Sequence, residues 1–287
     1  MKKFWFVLPS LIVGIISSCS TAEPKNASPN AANSVVAGIA ANANPANGGA
    51  KIEITEGGPA DTVRTFYQKL REKKFREAIF MTNLRPAVEG LTDTELQDFS
   101  LDFEQLAGQV PAQLEINGEI TTGETATVTI NIPNPDTGKI ELQPIKLRRE
   151  NGVWIIQSVD EAAAARIKKE GKSYLYNVRI ETHQDEARTM LDRVAKAEMV
   201  QAAQSDGQYS DIDTLVTAGF LPSDIKSSAS TGYNYEVVVA ADRRSYSATA
   251  YPAEYGKTGK LSFLVELDGK GASHLTSKDS GGKPLKK

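Results

Sequence analysis

Residues 114–156 read LEINGEITTGETATVTINIPNPDTGKIELQPIKLRRENGVWII. Apolar residues fall at every second position through most of this stretch: Leu114 and Ile116, then Ala126, Val128, Ile130 and Ile132, then Ile140 and Leu142, then Ile145 and Leu147. A spacing of two sends successive side chains to opposite faces of an extended chain, so each run predicts a strand with one buried face. Asn134-Pro135-Asp136-Thr137-Gly138 has turn composition, and Asn151-Gly152 is a strong signal for a two-residue hairpin. Val153–Ile156 closes the series as a last strand. The whole stretch reads as an antiparallel meander.

Upstream the period is 3.6. Gly57-Gly58-Pro59 punctuates the entry, Pro59 suits a first helical turn, and Asp61 complements a helix N-terminus. Val63, Phe66, Tyr67 and Leu70 then form one apolar helical face. Phe75, Ala78, Ile79 and Leu84 suggest a second short helix. Thr92–Leu106 is a third helical candidate, with Leu96, Phe99, Phe103 and Leu106 on one side. Helices followed by a meander give an α+β layout.

Four features in this order resemble the NTF2-like lipoprotein domains of the bacterial DUF4878 type. They are the opening Pro59…Val63…Phe66-Tyr67…Leu70, the run Phe75-Arg76-Glu77-Ala78, the strand Gly123-Glu124-Thr125-Ala126-Thr127-Val128, and the close Arg149-Glu150-Asn151-Gly152-Val153-Trp154-Ile155-Ile156. The resemblance implies helices against a curved antiparallel sheet over 57–160, often a cone with an open mouth. In that family some members bind apolar ligands and a few move protons with Asp and His. This stretch contains no histidine, and Asp98 and Asp102 read as a solvated helix face. Phe66, Tyr67, Phe99, Phe103 and Trp154 are the candidates to line a ligand cavity; packing as plain core accounts for them equally well. Residues 51–160 hold 12 basic and 18 acidic residues, a balance that disfavours anionic membranes or nucleic acid as partner of this module.

Residues 161–183 are Ala-rich and charged, a helical connector, with Tyr174, Tyr176 and Val178 alternating as in an extended crossing. Ala187, Met190, Leu191, Val194, Ala197 and Val200 follow helical spacing over about 184–204, and Asp206-Gly207 ends the pattern. Tyr233–Val239, Arg244–Pro252 and Lys260–Gly269 are strand candidates. One helix over a three-stranded meander is expected. The order Ala187…Leu191…Ala197-Glu198…Ala203, Asp206-Gly207-Gln208-Tyr209…Leu215…Gly219, Thr231-Gly232-Tyr233…Tyr235, Tyr246…Ala248-Thr249-Ala250…Pro252 and Tyr255-Gly256…Ser262-Phe263…Asp268-Gly269 resembles the globular heads of type IV pilin-like proteins and type II secretion pseudopilins. The resemblance implies a pilin-like domain over 184–275 and a disordered tail over 276–287. True pilins carry a long apolar polymerising helix first. The corresponding Glu161–Glu186 is too polar for a filament core, so a head that has lost its polymerising tail is expected.

The N-terminus carries an address. Met1-Lys2-Lys3 is positive, Phe4–Ile16 is a short, mostly apolar run, and Ser17-Ser18-Cys19 follows. The run is too short to span a bilayer core of about 30 Å. It reads as a secretory signal. Ile16-Ser17-Ser18-Cys19 resembles the bacterial lipobox, which implies a signal peptide over 1–18 and lipidation of Cys19. Two or more acyl chains there would anchor the chain stably to a membrane. Ser20 rather than Asp resembles an outer-membrane address facing the periplasm. Residues 19–56 are mostly Ala, Asn, Pro, Ser and Gly and are expected to be a disordered tether. Lys51–Thr55 is either a short strand or the tether's end.

Composition narrows function by exclusion. The 287 residues include one cysteine and two histidines, and their formal charge is −3. No intramolecular disulfide can form, no Cys-based zinc cluster is available, and nucleic-acid coating would need a basic excess. Glu170-Gly171-Lys172-Ser173 lacks the upstream glycine of a phosphate loop, because Arg166 stands there. No nucleophile motif is present, His183 and His274 lack metal spacing, and Asp211 and Asp213 read as capping residues rather than calcium ligands. No cofactor or metal is expected. The expectation is a non-enzymatic, membrane-anchored envelope lipoprotein. It binds an envelope partner, with pilus or type II secretion machinery the implied setting, or acts as a scaffold. The alternative is a small apolar ligand bound, or weak carboxylate chemistry, in the first module.

Overall fold

A computed structural model describes residues 52–134, 137–268 and 271–286. The expected signal segment, Cys19 and the tether through Lys51 lie outside the described residues. The fold is α+β, with two four-stranded antiparallel sheets, and it divides into two compact units. The first runs to Arg85 and resumes over Asp93–Ala164; the second takes in Pro86–Thr92 and everything from Ala165.

In the first unit, helix α1 (Pro59–Arg71) starts with Pro59 and Asp61 in its first turn and ends on Lys69 and Arg71, so each end carries the charge that suits the helix dipole. Its buried stripe is Ala60, Val63, Phe66, Tyr67 and Leu70. A short helix α2 (Phe75–Ile79) follows; helix α3 (Arg85–Glu89), which had no counterpart in the sequence pattern, belongs to the second unit from Pro86 on. The single helix expected over Thr92–Leu106 is broken into α4 (Asp93–Gln97) and α5 (Ser100–Gly108). The break falls at Phe99, whose N–H turns back to Leu96 O and whose ring is buried. α4 itself buries no side chain.

The meander forms as read: β1 (Glu115–Thr122), β2 (Thr125–Pro133), β3 (Ile140–Glu150) and β4 (Val153–Ile156) pair in sequence order. The β3–β4 turn has φ of 50° at Asn151 and 83° at Gly152, the double left-handed geometry that two-residue hairpins favour. Ala126, Val128 and Ile130 register with Leu147, Ile145 and Gln143, and Leu147 with Ile156. That face, with Trp154, meets the stripe of α1. Each fully buried large side chain there contributes about 1.5–3 kcal/mol. Ile52 and Ile54 pack on the same core, so the module begins before residue 57 and residues 52–55 are not a free tether end. The other sheet face is open, with Ile120 73% and Leu142 61% exposed.

Helix α6 (Glu161–Glu170) carries the chain into the second unit, which resumes at Ala165, and turns through a 3₁₀ segment, Gly171–Ser173, into α7 (Tyr174–Gln204). Gly171 sits at φ 52°, the sharp reversal a glycine permits. Tyr174, Tyr176 and Val178 are therefore helical, not extended. Leu175, Ile180, His183, Ala187, Met190, Leu191 and Val194 carry one 3.6-residue stripe through the whole helix and override the local alternation. Arg166 fixes the reversal: its Nη atoms meet both Glu181 carboxylate oxygens at 3.0 and 2.6 Å, and Nε meets Glu170 at 2.6 Å. Asn177 donates to the second Glu170 oxygen.

Helix α8 (Ile212–Thr217) and α9 (Ser228–Thr231) lead to β5 (Tyr233–Val239), β6 (Tyr246–Pro252), β7 (Leu261–Leu267) and β8 (Ser273–Asp279). The expected three strands are four, paired in sequence order. Leu191, Val194, Ala248, Ala250, Phe263 and Val265 form the core between α7 and the sheet. The tail expected to be disordered from 276 begins inside β8, which pairs β7 over seven positions. Beyond it, Ser262 Oγ donates to Lys283 O at 2.8 Å and accepts from Ser280 Oγ at 2.9 Å, while Tyr255 hydroxyl bonds both Asp279 oxygens. β8 is polar, and none of its residues is buried. Backbone pairing, invisible to hydropathy, holds it.

Candidate functional site

The five aromatic candidates are all buried in the first unit. Phe66 and Tyr67 project from α1 and meet edge-to-face at 5.1 Å. Trp154 comes from β4 into the same core, with the Arg149 guanidinium over its ring at 5.9 Å. Phe99 and Phe103 lie 6.4 Å apart, and Phe103 reaches the core through Phe75, 5.4 Å away. The Tyr67 hydroxyl is pushed well above the usual phenol range by burial, so it stays protonated at neutral pH. Asp102 opens α5 at its N-terminal turn, where its charge complements the dipole. A carboxylate that sequence reading passed over does structural work nearby: Glu119, on β1, accepts the Ala60 N–H at 2.9 Å and so caps α1 from the sheet.

In the second unit, Asp211 is the N-cap of α8, accepting the Thr214 N–H at 2.8 Å, and that bond holds its carboxyl below the usual range. Asp213 pairs with Lys226. Capping and ion pairing account for both acids. His183 Nδ1 lies 3.1 Å from Thr258 O; since a carbonyl only accepts, the proton sits on Nδ1. Gln184 Oε1 accepts from Lys260 N and Leu261 N, so α7 pins the loop before β7 at two successive residues.

One further group stands out. Glu198 is fully buried on the core face of α7. Its Oε2 accepts the Ser210 N–H at 3.0 Å, and Oε1 meets no hydrogen-bond partner among the described residues. Burial pushes its carboxyl up to about 7, against the opposing pull of the Ser210 bond and the Arg243 charge. The sequence did carry a signal for it. Leu191, Val194 and Ala195 lie seven, four and three residues before it, so the apolar stripe ran through position 198.

Among the described residues, no group of three or more His, Cys, Asp or Glu is placed to hold a metal ion. No helix among them is long and apolar enough to cross a membrane. No protein-family model matches the chain, and no curated protein matches it. Among solved structures it is similar to one described as an NTF2-like transpeptidase from Campylobacter jejuni, at 13% identity over 35% of this chain and 97% of that one, with a TM-score of 0.25.

Proposed function

We propose that the chain is a lipid-anchored envelope protein without enzymatic activity, whose two modules serve as a binding or scaffold unit. The observation that carries this reading is the apolar run Phe4–Ile16 ending at Ser17-Ser18-Cys19, with the chain's one cysteine at its edge. Acyl chains on Cys19 anchor it, and Ser20 favours the outer membrane with the modules facing the periplasm. The first module is NTF2-like in this reading, a helix against a curved meander. The second is a pilin-like head, supported by one long helix laid over an antiparallel sheet.

In that head, a polar helical hairpin stands where a pilin has its apolar polymerising helix. Arg166, Glu170 and Glu181 form an ion network there, and such a network is poorly suited to a filament core. The head would meet pilus or secretion components as a partner rather than as a filament subunit. Mass spectrometry of membrane fractions from cells carrying the wild type and Cys19→Ala tests the anchor. A diacylated N-terminus at Cys19, with release to the soluble fraction in the variant, is expected. An unlipidated protein, soluble in both strains, would overturn the reading. Crosslinking in intact cells then tests the partner class, and recovery of no envelope or secretion component counts against it.

A further inference from the structure

Glu198 joins three elements of the second unit. Its Oε2 holds Ser210 N–H, in the loop between α7 and α8. That loop is zipped in turn to the β5–β6 turn. Tyr209 N–H donates to Arg243 O at 2.9 Å, Arg243 Nε returns to Tyr209 O at 3.1 Å, and Nη2 reaches Ser210 Oγ at 3.2 Å. Arg244 bonds Asp206 O, and its other amino group meets the Asp206 carboxylate at 3.3 Å. Asp206, Gly207 and Arg243 all sit at positive φ, so both facing turns hold sharply bent backbone.

We propose that Glu198 is a pH-responsive latch: its neutral form holds the Ser205–Asp211 loop closed, and its ionised form loosens it. A carboxylate offers about four acceptor positions, and this one receives a single N–H. Ionising it in place leaves Oε1 buried and unsatisfied, a costly state in a medium of low dielectric. Opening the loop admits water to that oxygen. The charged and titratable groups around it modulate what burial sets. Arg243, from the β5–β6 turn, favours the ionised form, and Asp211, at the start of α8, opposes it. Tyr246 from β6, whose ring lies 4.9 Å from that of Tyr209, is neutral, its hydroxyl pushed up chiefly by burial. Burial outweighs both the Ser210 bond and the Arg243 charge, so the proton is held more tightly with the loop closed than with it open.

The direction follows from linkage. The closed-state carboxyl titrates at about 7 and the unfolded one near its ordinary value of 4.5. The neutral form's contribution is complete below the ordinary value, declines as pH rises, and is gone above the closed-state value. Opening therefore increases by up to about tenfold per pH unit within that window.

Amide hydrogen exchange on the full chain, corrected for intrinsic exchange, reads this directly. Protection at Tyr209 and Ser210 is expected to fall more than about tenfold between roughly pH 5.5 and 8. Glu198→Gln keeps the size and an oxygen acceptor for Ser210 N–H, and it should flatten that dependence. Titration of the wild-type Glu198 carboxyl by carbon-13 NMR serves if the variant does not fold, with a midpoint near 7 expected. Equal pH slopes in the two proteins, or a midpoint near the ordinary carboxylate value, would overturn the latch.

Discussion

A single glycine shows how tightly the second unit is fitted. Gly232 ends α9 at φ 70°, and a Cβ placed on it would lie 2.2 Å from His183 Nδ1. Gly232→Ala thus meets two penalties: a left-handed backbone, roughly 1–2 kcal/mol, and an overpacked contact, roughly 1–3 kcal/mol. Urea denaturation should show a loss of at least about 2 kcal/mol. Measured against His183→Ala alone, Gly232→Ala in that background should cost only the backbone part; an unchanged cost would mean the clash is relieved elsewhere. At this scale the sequence was only partly legible. Aromatic residues on a helical stripe were recognisable as buried, and Asp211 as a cap. The partners of His183, Glu119 and Glu198 were not, because Thr258, Ala60 and Ser210 are distant in sequence or sit in loops without periodicity.

Among the elements, alternation over Thr125–Ile132 and the Asn151-Gly152 turn predicted strands and hairpin, since both report local geometry directly. The start of α7 was misread for an equally physical reason. Tyr174, Tyr176 and Val178 mimic a period of two, while the anchors of the helix reversal are polar and carry no hydropathic signal. Arg166 is that anchor. Its bonds to Glu181 and Glu170 hold the guanidinium above its ordinary range, but the side chain is over a third exposed, so water screens much of the gain. Arg166→Met should therefore cost about 1 kcal/mol or less in global stability. Hydrogen exchange should nonetheless quicken across 161–173 while Ala187–Ala197 stays protected. Uniform quickening along α7 would show that the hairpin is not a separate lever.

Across the whole molecule, two meanders and their order could be read from sequence, whereas the fastening of the C-terminus could not. Ser262 is fully buried, and its hydroxyl is satisfied by Lys283 and Ser280. Removing Ser280–Lys287 leaves that hydroxyl without either partner, at a cost of about 1–3 kcal/mol. Adding Ser262→Ala to the truncated chain removes the orphan group, so the double variant should melt above the truncated one in calorimetry. If it melts lower, the tail acts by covering apolar surface instead. The same arrangement sets a polar strand as guard on an apolar one. Leu261–Leu267 buries Phe263, Leu264 and Val265, yet the strand that completes its hydrogen bonds, Ser273–Asp279, buries none of its own side chains. Peeling that guard away would leave a row of unpaired backbone groups beside apolar side chains, a ready template for a strand of another chain.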